Sequence, residues 1–221
     1  GIGKTLAARY VLKELQEEFV FIAAHDLKAP VTGINGYISM LLEAEGEKLT
    51  DTGKDYIKQI KRGSDRLMRL VEDLLEVARS EAGKISVEVV DINITEPIRE
   101  TLAELKSSAD EKSITLAYEP YPKMEYVLAD SDRVKELLAN FVSNAIKYTP
   151  LKGKVKVFHE VKEGMLITHI QDNGLGISKE AQKKLFEKFY RVQTRATDGI
   201  EGTGLGLFIV KKLVGKMGGK I

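Results

Sequence analysis

Two stretches of apolar residues at helical spacing, joined by a short polar segment, constrain most strongly what this chain can fold into. Between residues 6 and 44 apolar side chains recur every three or four positions, without strand-like alternation. A second stripe of the same period covers residues 56–78, and glycines and cap-type residues occupy positions 46–53. This pattern predicts two long amphipathic helices in an antiparallel hairpin. Because a single hairpin buries its stripe incompletely, we expect a second copy to complete a four-helix bundle.

The first of these helices contains the run His25-Asp26-Leu27-Lys28-Ala29-Pro30. Pro30 has no backbone N–H and its ring crowds the preceding turn, so a kink is expected within one turn of His25. A neutral imidazole is available near pH 7 as a nucleophile for a phosphoryl group. The Asp26 carboxylate can accept the ring Nδ1 proton, which would leave Nε2 free to attack. Taken by itself, a histidine in this position would more often be a packed or solvated helical residue than a nucleophile.

The rest of the chain alternates between strand-like and helix-like segments, which predicts a mixed α+β domain rather than a βαβ series. Strands are expected at 85–90, 114–118, 154–161 and 165–171, and helices at 97–108, 132–148, 178–189 and 205–217. The polar segment 194–201 has no periodicity and is expected to form a mobile loop. Three segments are therefore predicted: a signalling helix or linker (1–18), a helical hairpin (19–83) and the mixed domain (84–221).

The composition excludes several classes of function. Lys and Arg number 34 and Asp and Glu 33, so a net charge of +1 gives no basis for nucleic-acid binding. Cysteine is absent, which excludes disulfides and thiolate metal sites. No apolar run approaches the ~18–20 residues that span a bilayer, so no membrane contact is expected of this fragment. His159 and His169 fall in a predicted strand pair without zinc-like spacing.

Three short motifs in the mixed domain carry groups suited to a phosphorylated ligand. Asn140, Asn144 and Lys147 share one helix face, and an amide oxygen suits Mg²⁺ while a lysine suits phosphate. The turn 172–176, Asp-Asn-Gly-Leu-Gly, joins a carboxylate to glycines that let a ligand approach the backbone. The loop 202–207, Gly-Thr-Gly-Leu-Gly-Leu, precedes a helix whose N-terminal amides favour phosphate. Separately, each motif also fits a solvated face, an ordinary turn or a hinge.

The order of these motifs resembles that of the sensor histidine kinases of two-component signalling. An Asn-x-x-x-Asn helix, a D-x-G-x-G turn, the run Phe186-x-x-Phe189-Tyr190-Arg191 and a G-T-G-L-G-L loop follow one another. The resemblance covers nearly the whole chain. It implies an α+β protein in which an antiparallel helical hairpin forms a dimeric four-helix bundle. An α/β sandwich ATP-binding domain, of the type shared with gyrase, Hsp90 and MutL, would follow, with its last strand truncated after Gly218-Gly219-Lys220.

The resemblance also implies roles for individual residues. His25 would be the phosphorylated nucleophile and Asp26 its orienter. Asn144 would hold Mg²⁺ and Asp172 would bind the adenine amino group, while Arg191 could meet the terminal phosphate. Phe186 and Phe189 would anchor a lid formed by 194–201. The full set implied to contact ATP lies in the motifs above: Asn140, Asn144, Lys147, Tyr148, Asp172, Gly174, Gly176, Arg191, Gly202, Thr203, Gly204, Leu205, Gly206 and Leu207.

The resemblance implies a protein-histidine kinase that uses ATP to phosphorylate His25 and then phosphorylates an aspartate of a response regulator. Its expected partners are a second copy of the chain, the regulator's receiver domain and an upstream sensor domain, and its expected location is the cytoplasm. The family motif usually reads H-E/D-x-x-T/N-P, whereas this chain has Ala29 at the Thr/Asn position, which predicts weak phosphatase activity. A gyrase- or Hsp90-type ATPase and a non-catalytic dimeric scaffold are the alternatives.

Overall fold

The computed structural model describes the backbone of residues 2–122 and 126–221, and the side chains of 20–122 and 126–221. The chain divides into two compact units, the first ending at Ile85 and the second beginning at Ser86. Within the described part of the chain, no helix combines the length and the apolar character that crossing a membrane requires.

The first unit is a pair of antiparallel helices, α1 (Ile2–Glu45) and α2 (Asp51–Glu81). The Thr50 side chain accepts a hydrogen bond from the Gly53 N–H at 3.1 Å, which caps the start of α2. Ala24 of α1 packs against Val71 and Leu75, near the far end of α2. The predicted hairpin is therefore confirmed.

Helix α1 continues through Pro30 as one α-helix. Proline removes one intrahelical hydrogen bond, and beside it the Thr32 hydroxyl donates to the Lys28 carbonyl at 2.9 Å. Pro30 thus does not end the helix, and the expected kink stays a prediction.

The hairpin leaves a large apolar surface exposed. The small buried cluster of Ala24, Val71 and Leu75 covers only part of the apolar stripe. The large apolar side chains that remain exposed on the two helices are Phe21, Ile22, Leu27, Ile34, Tyr37, Met40, Leu41, Leu42, Tyr56, Ile60 and Leu67. So many exposed large apolar side chains are unusual for an isolated unit, and apolar surface of this kind is typical of a region that binds another protein.

The second unit combines helices with short strands. Its elements are β1 (Val90–Asn93), α3 (Thr95–Glu111), β2 (Thr115–Glu119), β3 (Tyr126–Ala129), α4 (Ser131–Tyr148), β4 (Lys154–Lys162), β5 (Met165–Asp172), α5 (Lys179–Gln182), a 3₁₀ turn (Arg195–Thr197) and α6 (Gly206–Lys216). This arrangement confirms the predicted mixed α+β class.

The strands form two sheets. β1 and β3 pair antiparallel, with Ile92 opposite Val127. β4 is the middle strand of the other sheet, parallel to β2 and antiparallel to β5. The parallel β2–β4 pair requires a crossover connection, and this crossover contains β3 and α4. The unit thus contains one crossover between parallel strands, although the fold as a whole is not a βαβ series.

The core of this unit lies between the helices and the three-stranded sheet. Ile98 of α3, Val142 of α4 and Val155 and Val157 of β4 are completely buried. Val155 and Val157 are two residues apart, so both point to the helical face of the sheet. Helix α6 contacts α4, and its Leu213 is also fully buried. α4 therefore packs against two helices, α3 and α6, and against strands β4 and β5.

Several predicted boundaries differ from the structure. The strand expected at 85–90 is mostly irregular, since β1 begins at Val90, and the four-residue strand β3 was missed. The helix expected at 178–189 ends after one turn at Gln182. Beyond it the backbone makes i→i+3 turns, such as Lys184 N–H to the Ala181 carbonyl at 3.0 Å, and Phe189 adopts a positive φ of 61° that no α-helix allows.

Candidate functional site

His25 lies on an exposed face of α1. The side chains of His25 and Asp26 are 72% and 74% exposed, and His25 Nδ1 lies 3.5 Å from Asp26 Oδ1. The preceding residue, Ala24, is only 2% exposed because it packs against α2. Within one helical turn, Ala24 therefore faces α2 and His25 faces solvent. The geometry lets Asp26 accept the Nδ1 proton, and Nε2 can then react with an incoming electrophile.

Ala29 and Lys28 follow on the same helix. Ala29 is exposed, and its methyl group offers no hydrogen bond to a nearby ligand. The Lys28 ammonium lies 3.3 Å from the Glu72 carboxylate of α2, with both side chains about half exposed. This ion pair links the two helices about one turn from His25.

Helix α4 carries the residues expected to bind metal and phosphate. Asp130 caps its start, since Oδ1 accepts from the N–H groups of Asp132 and Arg133, both at 3.1 Å. Oδ2 accepts from the Glu88 N–H at 2.9 Å. Burial raises the pKa of Asp130, but these three donors and the neighbouring Arg133 charge together outweigh it, so the pKa lies below its usual value. Asp130 was not among the expected site residues. Aspartate is a common N-cap residue, and its place just before the predicted helix 132–148 is the signal that could have identified it.

The face of α4 presents Asn140, Asn144 and Lys147, all half-buried. Asn140 donates through Nδ2 to the Glu136 carbonyl at 3.1 Å, which directs Oδ1 away from its own helix. Its Oδ1 lies against Gly206 at the start of α6, so close that a Cβ atom at Gly206 would overlap it. The structure therefore brings the first turn of α6 beside the polar face of α4.

The glycine-rich loop is anchored at one end by Leu205, which is fully buried. Gly204 has a φ of +74°, and a Cβ atom there would lie 2.8 Å from the Phe189 carbonyl carbon. A Cβ on Gly202 would lie 3.8 Å from Arg191 Nε and 3.9 Å from Lys147 Nζ. The side chains of Arg191 and Lys147 thus both lie close to the backbone of Gly202, which has no side chain of its own. This arrangement is suited to binding a polyanion.

Other expected members of this loop have supporting contacts. The Thr203 hydroxyl accepts from the Leu205 N–H at 3.3 Å. The Arg191 guanidinium donates to the Ile200 carbonyl. Leu207 follows Gly206 in the first turn of α6 and is half-buried. Arg191 therefore joins the segment 194–201 to the glycine-rich loop.

The turn after β5 is fitted tightly to the end of α4. Asp172 Oδ1 accepts from the Gly174 N–H at 2.8 Å, and the Leu175 N–H donates to the Tyr148 carbonyl at 3.2 Å. A Cβ on Gly174 would lie 2.7 Å from that carbonyl oxygen, so glycine is required there. Gly176 has a φ of +69°, which also favours glycine. The structure thus joins the Asp172 turn to α4, although Asp172 lies 24 positions after Tyr148 in the chain.

The two phenylalanines expected to anchor a lid differ in their surroundings. Phe186 lies beneath Lys211 of α6, whose Nζ is 5.4 Å from the ring centroid. Phe189 is 59% exposed, and its backbone supports Gly204. In the expected lid, Thr194 and Thr197 bond to each other around a 3₁₀ turn, with Thr194 N–H to Thr197 Oγ1 at 2.9 Å. Part of this polar segment therefore has regular structure.

A metal at this site would depend on ligand oxygens besides those of the protein. Among the residues that the structure describes, no group of three or more His, Asp or Glu side chains could hold a metal ion. Mg²⁺ is commonly held by one or two protein oxygens together with phosphate oxygens and water. The amide of Asn144, on the same face as Lys147 and half-buried, fits that requirement.

His159 and His169 have structural surroundings. His159 is buried, with Nε2 3.2 Å from the Tyr118 hydroxyl and Nδ1 3.0 Å from Thr168 Oγ1. Burial, and then the neighbouring His169, lower the pKa of His159. The His169 ring stacks on Phe158 with centroids 4.7 Å apart. Both histidines thus brace neighbouring strands.

Comparison with known proteins places both units in described families. The model of the His Kinase A (phospho-acceptor) domain matches residues 15–83. The model of the histidine kinase-, DNA gyrase B- and HSP90-like ATPase matches residues 129–221. Circadian input-output histidine kinase CikA of Synechococcus elongatus is 32% identical over 220 residues, which cover 98% of this chain and 29% of CikA. The chain spans between 23% and 36% of the length of the first curated relatives that it matches.

Solved structures give the same grouping. Full-length ShkA in complex with AMPPNP has a TM-score of 0.75 and 30% identity, over 91% of this chain and 41% of ShkA. Histidine kinase ThkA in complex with the response regulator protein TrrA has a TM-score of 0.63 and 28% identity, over 96% of this chain and 57% of that one. The nucleotide-free ThkA catalytic domain is 31% identical with a TM-score of 0.53, over 61% of this chain and 86% of that domain.

Proposed function

The chain belongs to the histidine kinases of two-component signalling, and we propose that it phosphorylates His25 from ATP and then transfers the phosphoryl group to an aspartate of a response regulator. The observation that carries the proposal is the exposed His25–Asp26 pair on α1, at 3.5 Å, in a chain that also has the converging nucleotide motifs. Neither feature alone specifies a kinase of this type.

In the first step Nε2 of His25 attacks the γ-phosphorus of ATP. A phosphorus–nitrogen bond forms, and the bond to the bridging oxygen breaks, so that ADP leaves with the electron pair. Asp26 accepts the hydrogen bond of Nδ1–H, which keeps the lone pair on Nε2 and stabilises positive charge as it develops on the ring. In the second step a carboxylate oxygen of the regulator's aspartate attacks the phosphorus, and His25 is released as the neutral imidazole.

The polar face of α4 and the glycine-rich loop are proposed to hold the triphosphate. Asn144 would bind Mg²⁺ through its amide oxygen, and Asn140 and Lys147 would contact the phosphates. Bound Mg²⁺ neutralises phosphate charge during transfer. Arg191 adds a second cation next to Gly202, where the absence of a side chain lets phosphate oxygens reach the backbone amides. Thr203, Gly204, Leu205, Gly206 and Leu207 complete the loop around the phosphates.

The turn after β5 is proposed to hold the adenine. Asp172 is exposed, and its carboxylate can accept a hydrogen bond from the exocyclic amine of adenine. Guanine has no amine at that position, so the contact would select ATP. Gly174 and Gly176 keep the backbone open to the base, and Tyr148 would close over the nucleotide. The complex of ShkA with AMPPNP supports nucleotide binding by a chain of this kind.

The exposed apolar surface of the hairpin is proposed to bind a second copy of the chain, forming a four-helix bundle. The match to a phospho-acceptor domain model supports dimerisation. The complex of ThkA with TrrA supports a response regulator as the second partner. Residues 1–18 are proposed as the signalling helix that connects an upstream sensor domain to residues 19–83, with 84–221 as the catalytic domain, in the cytoplasm.

The decisive experiment is incubation of the 221-residue chain with γ-labelled ATP and Mg²⁺, followed by tests of label stability. Phosphohistidine predicts label that is lost in acid and retained in base. His25→Ala should abolish it, whereas His169→Gln, which changes a histidine on a strand, should retain it. Equal label on His25→Ala would disprove the proposal. ATP hydrolysis without protein label would instead favour the gyrase-type ATPase, and no nucleotide binding would favour the scaffold.

A further inference from the structure

Lys112, directly after α3, inserts its side chain beneath the end of α4. Its Nζ donates to the carbonyls of Ile146 at 2.8 Å, Lys147 at 3.0 Å and Thr149 at 2.5 Å. An ammonium group has three N–H donors, so each one has a protein acceptor. The side chain is half-buried, whereas that of Lys106, the lysine within α3, is 70% exposed.

The three carbonyls need such a partner because α4 ends there. The last four carbonyls of a helix have no intrahelical donor, and they carry the negative end of the helix dipole. Pro150 cannot continue the helix. The neighbouring carbonyls are satisfied differently: Thr149 N–H donates to Ala145 at 3.0 Å, and Leu175 N–H donates to Tyr148 at 3.2 Å. Lys112 thus accounts for the carbonyls that the backbone leaves unpaired at this end.

This end of α4 carries groups from both parts of the proposed nucleotide site. Lys147 and Tyr148 lie in its last turn, and Asn144 lies one turn earlier. The Tyr148 carbonyl is also the attachment point of the turn that contains Asp172. The backbone adds a further link, since the Lys152 N–H donates to the Lys112 carbonyl at 2.9 Å. A shift of this turn would therefore move the phosphate-binding and the adenine-binding groups together.

We propose that Lys112 is a positioning residue for ATP: its ammonium group fixes the last turn of α4, and through it the placement of Lys147, Tyr148 and the Asp172 turn. The inference rests on the proposed function, because it concerns the same nucleotide site. In this proposal Lys112 contacts the carbonyls at the end of α4 and does not touch the nucleotide.

The test compares Lys112→Met, which keeps the aliphatic stem without the charge, with Lys112→Arg, which keeps the charge. The matched control is Lys106→Met, since Lys106 lies within the adjoining helix α3, is 70% exposed and pairs with Asp110 at 3.2 Å. Binding of AMPPNP with Mg²⁺ is titrated on the full chain, well below its unfolding temperature. We expect the Kd of Lys112→Met to rise about tenfold, that of Lys112→Arg to rise less, and that of the control to stay within about twofold.

Two further readouts separate positioning from a merely structural role. The KM for ATP should rise with the Kd, while kcat at saturating ATP stays within about twofold, because the bound nucleotide restores the turn. Amide hydrogen exchange at Leu175, whose N–H bonds to Tyr148, should accelerate in Lys112→Met and not in Lys106→Met. If Lys112→Met does not fold, Lys112→Gln replaces it with the same readouts.

An unchanged Kd and unchanged Leu175 exchange in a folded Lys112 variant would overturn the inference and leave the proposed function intact. A lower unfolding temperature with an unchanged Kd would overturn it too, since Lys112 would then only stabilise the fold. If the wild-type chain itself did not bind AMPPNP, the proposed function would fail, and the inference with it.

Discussion

Gly206 of α6 lies against Asn140 of α4, so close that a Cβ atom on Gly206 would overlap the Asn140 amide oxygen. This contact brings the glycine-rich loop to the polar face of α4, and it couples the two motifs that are proposed to share the triphosphate. The neighbouring Gly204 has a positive φ of 74° and contacts the Phe189 backbone. The loop therefore depends on glycine for close approach at one position and for backbone conformation at the other.

Gly206→Ala should weaken nucleotide binding more than it weakens the fold. The added methyl group meets the end of a side chain, which can move, so we expect a loss of stability of no more than about 1 kcal/mol. Moving the Asn140 amide should raise the Kd for Mg²⁺–AMPPNP by about tenfold.

The control for Gly206→Ala is Gly215→Ala, in the same helix, where a Cβ would have no atom within 4 Å. It should stabilise α6 by about 0.5–1 kcal/mol without changing affinity. Titration and thermal unfolding of both variants check the prediction. Equal affinities of Gly206→Ala and the wild type would show that Asn140 does not contribute to binding.

Asp130→Ala should lower the free energy of unfolding by about 1–2 kcal/mol, because it removes the N-cap of α4 and the acceptor of the Glu88 N–H. Urea denaturation at pH 7 measures this loss. The pKa of Asp130 lies below its usual value of 3.8, so the folded state binds fewer protons there than the unfolded state. Its contribution is therefore complete above that value and disappears as the pH falls through the lowered pKa.

Asp130→Asn serves as the comparison, since it keeps the shape and an acceptor oxygen without the charge. It should lose less stability than Asp130→Ala and should remove this part of the acid dependence. An identical acid dependence in wild type and Asp130→Asn would contradict the assignment.

His159 should make the second unit sensitive to mild acid. Burial and then the neighbouring His169 hold the pKa of His159 below its usual value of 6.5. The unfolded chain thus takes up a proton before the folded chain does, and stability falls as the pH drops below about 6.5, until the lowered pKa is reached. The loss amounts to about 1.4 kcal/mol for each unit by which the pKa is lowered.

His159→Gln, which can still bond to Tyr118 or Thr168, should be less stable than the wild type at pH 7.5. Between pH 7.5 and 5.5, however, the free energy of unfolding of His159→Gln should fall by less than that of the wild type. Denaturation curves at the two values measure the difference. Parallel losses in both proteins would mean that other groups are responsible for the acid sensitivity.

Ala29→Thr should increase phosphatase activity without abolishing autophosphorylation. A threonine hydroxyl four residues after His25 can orient a water molecule, whereas the exposed alanine methyl cannot. The measurement is loss of phosphate from a regulator that the chain has been shown to phosphorylate, with Ala29→Val as a control of similar shape. Rapid dephosphorylation by the wild-type chain would refute the role assigned to Ala29.

The hairpin and the mixed class of the second unit were predictable because their signals are local. The period of apolar residues reflects one apolar face along each of α1 and α2, which the hairpin buries only in part. The alternation in β4 and β5 reflects one packed face of a sheet. The expected nucleotide residues were similarly visible as motifs, although their roles stay predictions. β3 was missed because four residues are too few to show a period.

The helix expected after Ser178 was wrong for a different reason. Ser178 does cap a turn, with its hydroxyl accepting from the Ala181 N–H at 3.2 Å. The chain then turns at Phe189, whose positive φ lets its backbone support Gly204. Contact with a later loop thus accounts for the turn at Phe189, and no pattern within 178–189 records that loop.

Sequence alone was sufficient for the period of the long helices, for the chemistry of His25 beside Asp26, and for the glycines at 174, 176, 204 and 206. These features depend on neighbouring residues or on residue type. Folding supplied the contacts between distant segments: Lys112 beneath α4, Gly206 against Asn140, and Leu175 bonded to Tyr148. Such contacts satisfy buried polar groups and fill space only after the chain has closed, so their partners cannot be identified from spacing along the chain.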